Sequence, residues 1–220
     1  MLGLLLFKRF TIKDSYKYLA PIYDFLVYLV YGNTLKKAKY RTLTALESAR
    51  SVVIFGGGTG TFTKAIITAY PHLAVEFIES SAAMLAKAKK NLSTSSNIRF
   101  NTSNQFQLLD TKHDVVIAPF FFDQFSAEEI RSIIHIIEGQ CHENPQWLVV
   151  DFQIVPNTKL VVWNKLRIRL TIWFFRKIAD YPLTTLPQVF KTFVSNGFKE
   201  RTAYLSPNQL VRSSIFSRLK

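Results

Sequence analysis

The sequence of 220 residues predicts an α/β fold built on an open, mostly parallel seven-stranded sheet, and three observations point to it. Short apolar runs alternate with helical patterns between residues 51 and 152, as strand–helix–strand units require. The first apolar run ends in Gly56-Gly57-Gly58-Thr59-Gly60, a turn suited to a strand entering a helix. Beyond the fifth run two further strand patterns close the chain, which predicts an antiparallel hairpin on the C-terminal edge. Residues 1–48 read as an N-terminal helical cap on a domain spanning 49–220.

The elements follow in order. Residues 14–48 carry helical periodicity, aromatic and aliphatic up to Tyr31 and basic from Leu35 to Tyr40, with Gly32-Asn33 dividing two helices. Ser51–Phe55 is apolar from Val52 onward, as suits a parallel strand buried on both faces. A helix from Thr61 to Tyr70 is stopped by Pro71. Strand Ala74–Ile78, helix Ala82–Leu92, a weaker strand Asn97–Phe100 and strand Asp114–Ala118 come next. A helix from Ser126 to Glu138 and strand Trp147–Phe152 complete the alternation. Residues 158–178 and 186–196 are helical, the second stopping at Gly197, and Phe198–Leu205 and Ser214–Leu219 form the closing strands.

Composition narrows the class. Apolar residues make up 48% and charged residues 20% of the chain, which supports a buried core and excludes a disordered protein. The formal net charge of +13 favours an acidic partner: nucleic acid, an anionic membrane surface or an acidic carrier protein. Cys141 is the only cysteine, so neither an intramolecular disulfide nor a cysteine zinc cluster can form, and a cytoplasmic location is expected. Met1–Arg9 is apolar first and basic second, the reverse of a secretory signal, and too short to span a bilayer. No spacing of metal ligands occurs.

The glycine turn brings backbone close to a bound group. A dinucleotide fingerprint, G-x-G-x-x-G, fails in both registers: counting from Gly56 its third glycine falls on Thr61, and counting from Gly57 its second falls on Thr59. The register that remains is G-x-G-x-G, on Gly56, Gly58 and Gly60. About twenty residues on, at the spacing of a ribose-binding acid, Glu79 ends the second strand. Glu76 lies inside that strand and is not the ribose acid.

In these segments the sequence resembles the class I S-adenosylmethionine-dependent methyltransferases, and among them the ubiquinone/menaquinone-biosynthesis type. The resemblance rests on Val52–Gly60, on Ile78–Ala88, on Arg99–Gln105 and on Tyr16-x-x-Leu-Ala-Pro-Ile-Tyr23-Asp24. It implies a Rossmann-like domain and S-adenosyl-L-methionine as cofactor, held by Gly56, Gly58, Gly60, Thr61, Glu79, Ser80, Met84, Asn104, Gln105 and Pro119. Two positions depart from the family pattern. Ile54 stands where an acid usually precedes the loop, and Asn104 replaces the adenine-side acid, although its side-chain oxygen can still accept from an amino group.

Methyl transfer from a sulfonium is an in-line displacement, so the protein must align the acceptor, exclude water and take up a proton when the acceptor carries one. The acceptor should lie at the carboxyl ends of the strands, which places Ala118–Phe125 there. Its four phenylalanines point to an apolar acceptor that is quinone-, lipid- or polyketide-like, with at least two of the rings expected in the core. Asp123 is the first candidate for a base or orienting group, although Ser126 is the better cap for the following helix. Tyr23 is the second candidate. The basic residues Lys36, Lys37 and Lys39, and Lys159, Lys165, Arg167, Arg169, Arg176 and Lys177 around an aromatic helix, suit an anionic membrane or an acidic carrier better than nucleic acid, for which no module is present. Two other readings stay open: a non-catalytic methyltransferase-like subunit binding through its basic face, and a nicotinamide-dependent oxidoreductase, which Thr61 disfavours. The oligomeric state has no signature in the sequence.

Overall fold

The computed structural model describes residues 21–102, 106–109, 112–156, 158–179 and 184–219. Two short helices, α1 (Tyr23–Tyr31) and α2 (Thr34–Tyr40), precede the sheet and are separated at Gly32, whose φ of 57° is the left-handed turn expected there. The alternating core then runs β1 (Ser51–Phe55), α3 (Thr61–Ala69), β2 (Ala74–Ile78), α4 (Ala82–Asn91), β3 (Ile98–Asn101), β4 (Val115–Pro119), α5 (Ala127–Glu138) and β5 (Gln146–Phe152). The long helix α6 (Val161–Ala179), the short α7 (Val189–Ser195) and the hairpin β6 (Phe198–Leu205) and β7 (Val211–Arg218) complete it.

The seven strands lie in the order β3-β2-β1-β4-β5-β7-β6. All pairs from β3 to β5 are parallel, and β7 pairs antiparallel with both β5 and β6. The chain leaves β1 in one direction and returns to its other side at β4, so a crevice opens outside the carboxyl ends of these two neighbouring strands.

Strand β1 shows why the central strands are apolar without alternation. Val52 and Ile54 face one core cluster, with Phe62 and Ile66 of α3 and Leu85 and Ala88 of α4. Val53 and Phe55 face the opposite cluster, with Ile130 and Ile134 of α5 and Phe193 of α7. Both faces are covered by helices, so both sets of side chains leave water, at about 1.5–3 kcal/mol for each large one fully buried. A third cluster joins the cap helices to the far end of the sheet, where Tyr31, Leu35 and Ala38 meet Phe152, Ile168 and Val211.

The helix starts are set by local chemistry. Ser126 accepts from the Glu129 amide at 3.3 Å, and Glu129 accepts from the Ser126 amide at 2.8 Å, a reciprocal cap that opens α5. Ser81 caps α4 through the Met84 amide. Asp114 clamps the start of β1 by accepting from the amides of Arg50 at 2.7 Å and Ser51 at 3.0 Å, and these bonds hold its carboxyl below the usual carboxylate range despite partial burial.

The last strand begins at Val211, three residues before the expected Ser214. Ser213, left outside the expected strand, is buried and satisfied, as is Ser214: Ser213 donates to the Ala38 carbonyl at 2.8 Å and Ser214 donates to Glu200. No helix among the described residues is long and apolar enough to cross a membrane.

Candidate active site

The glycine turn sits at the carboxyl end of β1, beside the crevice. Gly56, Gly58 and Gly60 all have left-handed backbone, with φ of 65°, 59° and 78°, matching the G-x-G-x-G register. Gly57 has a different reason to be glycine, one the sequence reading missed. A Cβ there would lie 2.2 Å from Cε2 of Phe77, so the loop packs flat on a ring of β2. Gly60 is held closely too, since its Cβ would stand 2.9 Å from Leu92 and 3.2 Å from the Ala88 backbone.

Glu79 follows β2 and turns back onto this loop. One carboxylate oxygen accepts from the Gly58 amide at 2.8 Å and the other from the Ser81 amide at 2.9 Å. The acid named from spacing is therefore buried against the loop named from its glycines. Ser80 is exposed beside it, while Met84 is buried in the first turn of α4. Thr61 opens α3 and meets the Thr59 hydroxyl at 3.0 Å. Pro119 is buried at the end of β4. Ile54, where the family has an acid, is wholly buried in the core. Asn104 and Gln105 lie outside the described residues, as does the Tyr16 end of the N-terminal motif.

The cap reaches the loop through a residue that the sequence reading quoted but gave no role. Thr59 donates to both oxygens of Asp24, at 3.1 and 2.9 Å, and Asn91 donates to the Thr59 carbonyl at 2.8 Å. Asp24 also stands 3.5 Å from Lys87 of α4. Tyr23, its neighbour, is half-buried in the first turn of α1. Lys39 of α2 lies over the Phe62 ring at 5.4 Å, and burial lowers its pKa while Asp24 opposes that shift.

On the other side of the crevice three rings of the phenylalanine run lie in the core, where at least two were expected. They are Phe121, packing on Phe55, Phe122, packing on Trp147 and Phe193, and Phe125. Rings that directly follow a buried strand bury most surface by turning under α5. Phe120 alone turns the other way, with a left-handed φ of 54°, and packs on Phe152 at 5.1 Å. A bulky residue in that region signals backbone held against its preference, which is common beside functional sites.

This turn presents Asp123, in a short 3-10 segment (Phe122–Gln124), to a small cavity. The cavity has a free volume of about 20 Å³ and is lined by Asp123, Tyr31, Phe152, Ile168, Thr171 and Ile172 among others. Burial raises the Asp123 pKa to about 7. Behind it lies Asp151, at the end of β5 and with no exposure, which the sequence reading treated only as part of a strand. Burial, and then the charge of Asp123, push Asp151 well above the carboxylate range. One Asp151 oxygen accepts from the Phe152 amide at 2.7 Å, and the other has no hydrogen-bond partner among the described residues. Tyr31 bonds to Thr171 of α6 across the cavity, and burial raises its pKa to about 12. Adjacent to this cavity a groove of about 620 Å³, which shares Phe152 with it, runs past Gln153, Phe190 and Arg212.

The sheet order, the glycine turn and the acid after β2 together define a class I methyltransferase fold. In agreement, residues 52–140 match a family model described as a methyltransferase domain. A search of curated protein sequences returns no match. Among solved structures the chain is similar to the mitomycin 7-O-methyltransferase MmcR, at 15% identity and a TM-score of 0.65, over 86% of this chain and 55% of that one. It is similar to the pyocyanin biosynthetic protein PhzM, at 17% identity and a TM-score of 0.68, over 93% of this chain and 61% of that one. It also resembles the magnesium protoporphyrin IX methyltransferase of Synechocystis PCC 6803 with bound SAH, at 16% identity and a TM-score of 0.58, over 87% and 84% of the two chains. The chain thus spans a little over half the length of the first two, and at these identities the likeness is one of fold.

Proposed function

We propose that this protein is an S-adenosylmethionine-dependent methyltransferase acting on an apolar small molecule, with oxygen as the first choice of acceptor atom and carbon as the second. The observation that carries the reading is the closure of Glu79 onto the Gly58 amide. It puts a carboxylate and three left-handed glycines at the carboxyl end of β1, where a nucleoside's ribose hydroxyls find both a bidentate acceptor and close backbone. The same features fit S-adenosylmethionine: open space beside Gly58, an acid for the ribose, and Thr61 where a dinucleotide loop needs its last glycine. In this reading Gly56, Gly58, Gly60, Thr61, Glu79, Ser80, Met84 and Pro119 hold the cofactor, with Asn104 and Gln105 on its adenine side.

When bound, S-adenosylmethionine supplies a methyl group on a positively charged sulfur. The protein's task is to hold an acceptor in line with that carbon and to receive a proton from it. A carboxyl with a pKa of about 7 is matched to that task, because near neutral pH it is partly ionised and still basic enough to accept. Asp123 is the proposed base. Asp151 behind it is the proposed positioning residue: held neutral, it keeps Asp123 from sharing the cavity with a second charge. For an oxygen acceptor Asp123 would take the hydroxyl proton, while the cofactor held at the glycine loop and Glu79 would supply the methyl group. Tyr23 is proposed to orient the acceptor from the cap. The groove of about 620 Å³ beside the cavity, apolar at Phe152, Ile154, Leu186 and Phe190, has the size and walls that suit a quinone-, lipid- or polyketide-like acceptor. The relatives named as methyltransferases of mitomycin and of magnesium protoporphyrin support a small cyclic acceptor over a macromolecule.

Calorimetric titration with S-adenosylmethionine and S-adenosylhomocysteine tests the reading. Saturable binding of both, weakened by about 10- to 100-fold in Glu79→Ala, is expected. No heat at millimolar cofactor overturns it in favour of a non-catalytic subunit, and saturable NADH binding overturns it in favour of an oxidoreductase.

A further inference from the structure

Helix α6 is apolar on two opposite faces. At 100° per residue, Asn164, Ile168, Thr171 and Ile172 share the face turned to the protein, and all are buried or half-buried. Val162, Leu166, Leu170 and Trp173 share the opposite face and are open to solvent, with Val162 71% and Trp173 61% exposed. Trp163, on the edge of that outer face, is 63% exposed. A helix with a solvated outer face normally carries charge there. Here the charges are displaced to the flanks: Lys165, Arg169 and Arg176 on one side and Arg167 on the other, all exposed. The side chain of Lys177 lies outside the described residues.

Helix α1 repeats the arrangement. Its inner residues Val27 and Tyr31 pack in the same cluster as Ile168 and Ile172, and the Tyr31–Thr171 bond ties the two helices together. Its outer stripe, Ile22, Phe25 and Leu29, is as exposed as that of α6, with Phe25 at 64% and Leu29 at 68%. Two helices that share one inner cluster thus both present aliphatic and aromatic side chains outward. Next to them α2 adds Lys36, Lys37 and Arg41, which line an open basic groove.

We infer that this face of α1 and α6 docks on an anionic lipid surface. Tryptophan and leucine on the outward face, with lysine and arginine at its margins, is the distribution of an interfacial helix, whose apolar side chains enter the acyl boundary while its cations meet lipid phosphates. The net charge of +13 adds long-range attraction to such a surface. An acidic protein partner would satisfy the cations equally, but a protein interface core is closely packed into concave pockets. The outer residues of α6 and α1 instead stand out from convex helix surfaces. The inference is independent of the proposed methyl transfer. If both hold, the inner face of α6 covers Asp123 while its outer face meets the lipid, so an apolar acceptor has only the helix to pass.

The test is co-sedimentation of the full chain with phosphatidylcholine vesicles, without and with about 30% phosphatidylglycerol. Binding to the anionic vesicles only, weakened by salt, is expected. Trp163→Ser combined with Trp173→Ser should abolish it. The triple change Lys165→Gln, Arg169→Gln and Arg176→Gln should weaken it by about 100-fold, from about fivefold per cation. These side chains are exposed, so unchanged thermal unfolding of each variant is expected and shows that the loss is not one of folding. Three results overturn the inference: no sedimentation with anionic vesicles, equal binding by the variants, or a dimer that the tryptophan changes dissociate in a chain that ignores vesicles. The last would assign the face to a second copy. Binding to an acidic carrier protein in the absence of vesicle binding would overturn it as well.

Discussion

His113 Nε2 lies 2.9 Å from Glu76 Oε2, and both side chains are buried. The other Glu76 oxygen accepts from Asn101 at 2.7 Å and from the Leu109 amide at 2.8 Å. One carboxylate in the middle of β2 therefore holds β3, the segment after it and the approach to β4. Removing it leaves several buried donors unpaired, which costs far more than the bonds contribute on balance. Glu76→Ala is expected to destabilise the fold by about 3 kcal/mol or more, read from urea unfolding. A loss well under 1 kcal/mol would mean that water replaces the carboxylate.

The glycine loop yields a paired prediction. Gly57→Ala forces a Cβ to 2.2 Å from Phe77, so the ring must move or the loop must lift. Overpacking of this kind costs about 1–3 kcal/mol. Gly58→Ala meets nothing within 4 Å and carries only the strain of its φ of 59°, about 1 kcal/mol. Thermal unfolding should rank Gly57→Ala below Gly58→Ala; the reverse order would contradict the packing described.

Cofactor affinity should respond to Glu79 in proportion to the bonds it offers. Hydrogen bonds to a charged group contribute about 1.5–3 kcal/mol, so Glu79→Ala is expected to weaken S-adenosylhomocysteine binding by about 10- to 100-fold. Calorimetry reads this directly. Unchanged affinity would remove Glu79 from the proposed site.

Asp123 makes both rate and stability depend on pH. Its folded pKa is about 7 against an ordinary value of 3.8. Only the ionised form accepts a proton, so methyl transfer to a hydroxyl should rise with pH through about 7 and be lost in Asp123→Asn. Stability moves the other way. Between about pH 4 and about 7 the folded chain holds a proton that the unfolded chain has released, so folding weakens as pH rises across that window. Urea midpoints at about pH 5 and about pH 8 should therefore differ more in the wild type than in Asp123→Asn. Equal differences would show that the carboxyl is not held neutral by burial.

Much of this molecule was legible before any coordinates. The order and type of the elements followed from apolar runs and their punctuation, because a strand covered by helices on both faces is mostly apolar and a tight turn between layers favours glycine. The boundaries drifted where polar residues are buried, as at Ser213, whose partner Ala38 is remote in sequence. The phenylalanine run was legible only in part, for a related reason. Aromatic content says that rings will leave water, but not whether they do so in a pocket or under a helix, and three of the four went under α5.

By itself the sequence determined the sheet, the register of its glycine turn and the acid that follows at the right spacing, since these depend on local backbone demands and on distance along the chain. Only the tertiary structure decided that Glu79 closes onto Gly58, that Asp24 of the cap reaches Thr59, and that Asp151 stands behind Asp123. It also decided that the outer faces of α1 and α6 are left open. Each of these is a meeting of residues distant in sequence, and burial together with proximity, which no spacing encodes, sets their charge and their chemistry.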